Sequence, residues 1–134
     1  MSIKVLHTSD WHLGKRLFKH ERLNEQNEFL DWLYHHIVTG KVDALLIAGD
    51  IFDVPNPPND ALKSFYDFLF KLGSLKSVKT YLITGNHDSS SLFEATKLLL
   101  ANHNCFVFNK LDPELNNLEV YIEKDELKVG LKCI

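Results

Sequence analysis

The sequence predicts a layered α/β domain, with mixed β-sheets flanked by helices and the strands largely parallel. Three observations carry that prediction. Short apolar runs alternate with amphipathic helical stretches, each run opens into a polar loop, and 45% hydrophobic residues among 134 are enough for one core and too few for two.

The first run, Ile3 to Thr8, is apolar and β-branched enough for a short buried strand, and it ends in the loop Ser9-Asp10-Trp11-His12-Leu13-Gly14. Leu23, Phe29, Leu30, Leu33 and Ile37 then form a helical stripe closing near Thr39-Gly40, where glycine suits a C-cap. Asp43 to Ala48 is continuously apolar, as in a strand covered on both faces, and gives way to Gly49-Asp50. Three prolines between Val54 and Asn59 enforce a loop, because each fixes φ and lacks a donor. The next helix takes Asn59 or Asp60 as cap and gathers Leu62, Phe65, Tyr66, Leu69 and Phe70 on one face.

A third strand, Thr80 to Thr84, closes on Gly85-Asn86-His87-Asp88. Ser91 is the expected cap of a helix running through Phe93 to Leu100, and Cys105 to Phe108 forms a fourth strand. From Leu118 to Ile122 and Leu127 to Ile134 apolar and polar residues alternate around Glu123-Lys124-Asp125-Glu126, which predicts an antiparallel hairpin. Repeats and low-complexity segments are absent from the sequence.

Composition narrows the function. The net charge of −3 provides no global field for nucleic acid, so any such contact needs a local patch. Cys105 and Cys133 share no metal-ligand spacing and are expected as free thiols of a reducing cytoplasm. The first residues lack the charged and apolar regions of a signal peptide, and no run reaches the roughly 18 apolar residues of a membrane span. A cytoplasmic protein without membrane contact is expected.

The chemistry lies in three loops, Asp10-x-His12, Gly49-Asp50-x-x-Asp53 and Gly85-Asn86-His87-Asp88. Each follows an apolar strand, and side chains at the carboxyl ends of neighbouring parallel strands converge on one crevice. Any one loop alone is ordinary turn chemistry. In series they provide carboxylate, imidazole and amide oxygen, a donor set for hard to borderline divalent ions. Asp10 and His12 are placed to chelate one ion, Asp50 to bridge to a second, and Asn86 to supply that second ion with a neutral oxygen. His87 is the expected proton donor to a leaving alkoxide, oriented by Asp53.

Lys15, Arg16, Lys19 and Arg22 follow the first loop and are candidates to neutralise phosphates of a polymeric substrate, although a solvated loop would look the same. His20, His35, His36 and His103 read as solvated or capping residues, and His7 as a core residue of the first strand.

The three blocks resemble those of the calcineurin-like metallophosphoesterases. Within that superfamily His7 to Gly14, Phe29-Leu30-Asp31-Trp32-Leu33, and Ala48 to Asp53 followed by Pro57-Pro58 are similar to the SbcD nucleases, over residues 1 to about 110. The resemblance implies Asp10, His12, Asp50 and Asn86 as ligands of two divalent ions, Mn2+ foremost, with His87 as catalytic acid. It further implies exonuclease and endonuclease action on DNA in repair and recombination, beside an SbcC-like ATPase, as a homodimer within a heterotetramer.

The family completes its site with later histidines, whereas His103 is the last histidine here. Residues 1–134 are therefore expected to be the N-terminal part of the nuclease domain, inactive alone. The alternatives are a small-molecule phosphodiesterase or phosphatase on the same scaffold, and a non-catalytic module.

Overall fold

A computed structural model describes residues 2–18, 20–85, 88–109, 119–124 and 127–132. In chain order the elements are β1 (Val5–Thr8), β2 (Arg16–Leu17), β3 (His20–Glu21), α1 (Leu23–Gly40), β4 (Ala44–Ala48), α2 (Asn59–Gly73), β5 (Lys79–Ile83), α3 (Ser90–Ala101), β6 (Cys105–Phe108), β7 (Glu119–Lys124) and β8 (Leu127–Lys132).

The four apolar runs form one parallel sheet in the order β1-β4-β5-β6. Its strands follow one another across the sheet in chain order, so crossovers of one hand place all three helices on the same face. Alternation then divides each strand. Leu45, Ile47, Leu82 and Val107 point to the helices, where they join Leu30, Leu33 and Ile37 of α1, Phe65, Leu69 and Leu72 of α2, and Phe93 and Leu100 of α3. Ala44 and Tyr81 point the other way and are covered by Ile122 of β7, with Ile3, Leu46, Phe106 and Phe108 around them.

The predicted hairpin, β7 antiparallel to β8, is thus the lid of the second face. A polar clasp fixes its β7 edge, since the Lys124 ammonium lies 3.1 Å from the Asp43 carboxylate and Lys4 N–H donates to the same group at 2.8 Å. Burial disfavours the Asp43 charge, yet the Lys4 hydrogen bond and Lys124 outweigh it and hold the carboxyl below its ordinary value.

The structure corrects four local expectations. β1 is the edge of the sheet, so Val5 and His7 are exposed, and His7 is no core residue. Gly40 stays helical and Lys41 takes the left-handed cap position at φ 51°, with its N–H on Ile37 and Val38 carbonyls. The third helix is capped by Ser89, two residues earlier than expected, whose hydroxyl accepts from Leu92 N–H. Pro58 occupies the cap of α2 without a side-chain bond, leaving Asn59 as the first helical residue. Cys133, Leu118 and Ile134 lie outside the described residues.

Phe65 is the hub of the helical face. Its ring lies edge-on to Trp11 at 6.3 Å, Phe52 at 5.3 Å and Phe93 at 6.0 Å. Those partners come from the loop after β1, the loop after β4 and helix α3, so one ring braces three segments that surround the polar loops. Phe65→Ala is expected to lower the unfolding free energy by about 3–5 kcal/mol, measured by denaturant titration.

Candidate metal centre

The loops after β1 and β4 run side by side beyond the ends of their strands. Asp10 N–H donates to Gly49 O, His12 N–H to Asp50 O, Leu13 N–H to Ile51 O and Asp53 N–H to Leu13 O, at 2.8–3.2 Å. This ladder extends the parallel pairing as a bridge between Leu13 and Phe52. As a result, ligand atoms of Asp10, His12 and Asp50 all lie within 4.8 Å of one another. Among the described residues this is the one such grouping of three acidic, histidine or cysteine side chains.

The backbone at these positions is unusual. Asp10, His12 and Asp50 have φ of 56°, 46° and 51°, in the left-handed region that side chains with a Cβ seldom enter. Asp and His tolerate it better than most, and the inter-loop ladder supplies the bonds that hold it. Trp11 anchors the first loop between two of these residues. Its indole is buried against Phe29, Phe65 and Phe68, and its N–H donates to Thr8 Oγ1 at 2.8 Å.

Gly49 and Gly85 bring the second and third loops into contact. A Cβ on Gly49, whose φ is +85°, would meet Gly85 Cα at 2.9 Å, and a Cβ on Gly85 would meet Asp50 N at 2.2 Å. Neither position accepts a side chain without moving the backbone that carries Asp50.

Two residues to which the sequence assigns no role complete the frame. The buried Asp88 carboxylate accepts Ile51 N–H at 3.0 Å and Phe52 N–H at 3.1 Å on one oxygen, and Gly85 N–H at 2.8 Å on the other. Gln26 of α1 accepts Gly14 N–H through Oε1 at 3.0 Å and donates from Nε2 to His12 O at 3.1 Å. Asp88 had a signal, the fourth place of a Gly-Asn-His-Asp block. Gln26 had none beyond standing on a helix beside the loop.

Asp53 lies against His12. Its Oδ1 is 3.4 Å from His12 Nδ1, while Asp10 Oδ1 is 3.8 Å from His12 Nε2. The order of the motifs pairs Asp53 with His87 instead. His87 and Asn86 lie outside the described residues, as does Lys19.

The crevice at these side chains, about 530 Å³, is lined by Asp10 and His12 together with Lys15, Arg22, Glu25 and Phe29. Of the predicted cations Lys15 and Arg22 therefore border it. Arg22 donates through Nε and Nη2 to Glu25 at 2.9 and 2.7 Å, and Arg16 to Glu21 at 2.7 Å, so both guanidinium groups already face carboxylates. A groove of similar size between α1 and α2, about 580 Å³, lacks such a grouping of ligands among the described residues.

The donors suit a hard to borderline divalent ion. Two carboxylates and an imidazole are present, and Cys105 is buried in the core with its thiol pushed up to about 12, so it offers no thiolate. Residues 3–129 match the calcineurin-like phosphoesterases, a family that binds divalent metals.

The chain belongs to the calcineurin-like phosphoesterases.

Among curated relatives of this family, the SbcD component of the Bacillus subtilis nuclease SbcCD is 35% identical over 96% of the chain and 33% of its own length. The corresponding Escherichia coli K12 protein is 36% identical over 74% of the chain and 24% of its own length. That of Rhodobacter capsulatus is 37% identical over 73% and 24%. The chain thus spans a third or less of the length of these relatives. A nuclease named MPE from Pseudomonas putida shares the fold, with a TM-score of 0.51 at 20% identity over 81% of this chain and 50% of that one. No described helix is long and apolar enough to cross a membrane.

The bracket formed by Asp88 can be tested apart from any activity. Asp88→Ala strands three backbone N–H groups and is expected to cost at least about 2 kcal/mol in denaturant unfolding, with Asp88→Asn intermediate.

Proposed function

We propose that the full-length protein containing this chain is a manganese-dependent DNA nuclease, with exonuclease and endonuclease action in repair and recombination. The observation that supports this most is the meeting of Asp10, His12 and Asp50 within 4.8 Å, in a chain similar over 96% of its length to a component of a nuclease. Residues 1–134 are the N-terminal part of the nuclease domain in this reading. The protein works in the cytoplasm beside an SbcC-like ATPase, as a homodimer within a heterotetramer.

In this proposal Asp10, His12, Asp50 and Asn86 would hold two divalent ions, with Asp10 and His12 serving the first and Asn86 the second. Bound ions of this kind supply Lewis-acid charge and lower the pKa of water. The chain's own residues do the rest. The Asp53 carboxylate, 3.4 Å from His12 Nδ1, favours a proton on that nitrogen and so leaves Nε2 to the ligand side, a carboxylate–histidine arrangement that orients the ring. Lys15 draws a phosphate toward the crevice. His87 donates a proton to the leaving alkoxide as the phosphorus–oxygen bond breaks.

The ion pairs of Arg16 and Arg22 favour a second reading, a small-molecule phosphodiesterase or phosphatase, because they leave less positive surface for a polymer. Manganese-dependent cleavage of a labelled DNA duplex by the full-length protein decides between them. Wild type is expected to cut DNA and His87→Ala to lose at least about a hundredfold in rate. Hydrolysis of bis(p-nitrophenyl) phosphate with intact DNA would establish the second reading. Asp53→Asn is expected to weaken manganese binding about 10- to 100-fold by calorimetric titration, with unfolding little changed.

A further inference from the structure

The hairpin β2–β3 carries at its tip an aromatic side chain that the core does not use. Phe18 is 89% exposed and its neighbour Leu17 is 50% exposed. Arg16 pairs with Glu21 and Leu17 with His20, which leaves a two-residue connection that begins at Phe18. Such connections take positive φ at their first position and favour Asn, Asp or Gly there. Here the position holds Phe18 at φ 48°. A bulky residue therefore adopts a disfavoured backbone where a small polar one would fit, and no burial among the described residues offsets it.

The stem is tied to its surroundings. The Arg16 guanidinium closes on Glu21 across the paired strands at 2.7 Å, and Gln26 fixes the preceding Gly14 to α1. Both feet of the hairpin, Lys15 and Arg22, line the crevice beside Asp10 and His12. Phe18 stands three residues past Lys15, so at about 3.3 Å per residue its Cα is at most roughly 10 Å from that of Lys15 on the crevice rim. An apolar ring thus projects beside a lysine at the entrance to a phosphoesterase site.

We propose that Phe18 is a wedge that stacks on the terminal base pair of a nucleic-acid duplex and opens it, while the backbone enters the crevice over Lys15. The inference rests on the nuclease reading above. Aromatic rings stack on any base face, and apolar side chains unstack base steps when they insert. Lys15 and the metal ligands provide complementarity for the phosphate next to the opened base. Phe18 is thereby a determinant of substrate preference that acts on bases while the crevice acts on the phosphodiester.

The test uses the full-length protein with manganese and three substrates. They are a blunt duplex with 2-aminopurine in its terminal pair, the corresponding single strand, and bis(p-nitrophenyl) phosphate. Phe18→Ala is expected to cut the duplex about tenfold more slowly, to abolish the rise in 2-aminopurine fluorescence on binding, and to leave the other two rates within about twofold. Phe18→Trp is expected to restore both duplex signals. An unchanged duplex-to-single-strand ratio with DNA still cleaved would overturn the wedge and spare the nuclease reading. Loss on all three substrates would overturn it in favour of a role in folding, and loss of binding to an ATPase partner with unchanged duplex preference would overturn it in favour of a protein contact. If wild type hydrolysed only the small diester, the nuclease reading and the wedge would fall together.

Discussion

The contact between Gly49 and Gly85 is the constraint on which the site depends. The loops after β4 and β5 touch through backbone, with Asp50 N only 2.2 Å from where a Gly85 Cβ would stand. That approach lets one carboxylate, Asp88, gather N–H groups from Ile51, Phe52 and Gly85. A side chain at either glycine would push the loops apart and open this bracket. Asp50 would then leave the reach of Asp10 and His12, because its backbone is the part displaced.

The same close packing explains how three costly conformations persist in one small volume. Asp10, His12 and Asp50 all hold positive φ, each disfavoured for a residue with a Cβ. The offset is distributed. Backbone bonds between the first two loops hold one side, Gln26 holds the first loop to α1, and the rings of Trp11, Phe52 and Phe93 meet on Phe65 beneath. Strain at these three side chains and rigidity in the core are thus two aspects of one arrangement, and a loss in the aromatic hub is felt at the candidate metal centre.

Much of this is legible in the sequence because it depends on strong, local signals. Apolar runs at 43–48 and 80–84 could be little other than covered strands, and the polar blocks after them fall at strand ends, where parallel sheets converge. What stays hidden depends on neighbours. Whether β1 is central or at an edge, and so whether His7 is buried, is decided by strand order, which periodicity does not encode. The choice of Ser89 over Ser91 as a cap turns on the start of helix register. The approach of Asp53 to His12 is set by the ladder between the first two loops, which spacing does not announce, and its expected pairing with His87 lies outside the described residues. The cations stand out in the sequence more than their acids do, although Arg22-x-x-Glu25 at a helix start is readable as an ion pair.

Charge at the crevice ties these observations together. Asp10, Asp50 and Asp53 place three carboxylates near the entrance, Arg22 is paired with Glu25, and the chain as a whole carries −3. Among the described residues, Lys15 does not by itself cancel the repulsion that a phosphodiester would meet from the bare side chains. Divalent cations held by these carboxylates, as proposed, would reverse that sign locally and make anion binding conditional on them. Side chains that attract phosphate directly would bind it with or without ions. With the described arginines paired to acids, little broad positive field gathers at this crevice, and charge on the bare chain alone is a weak means of holding a polyanion there.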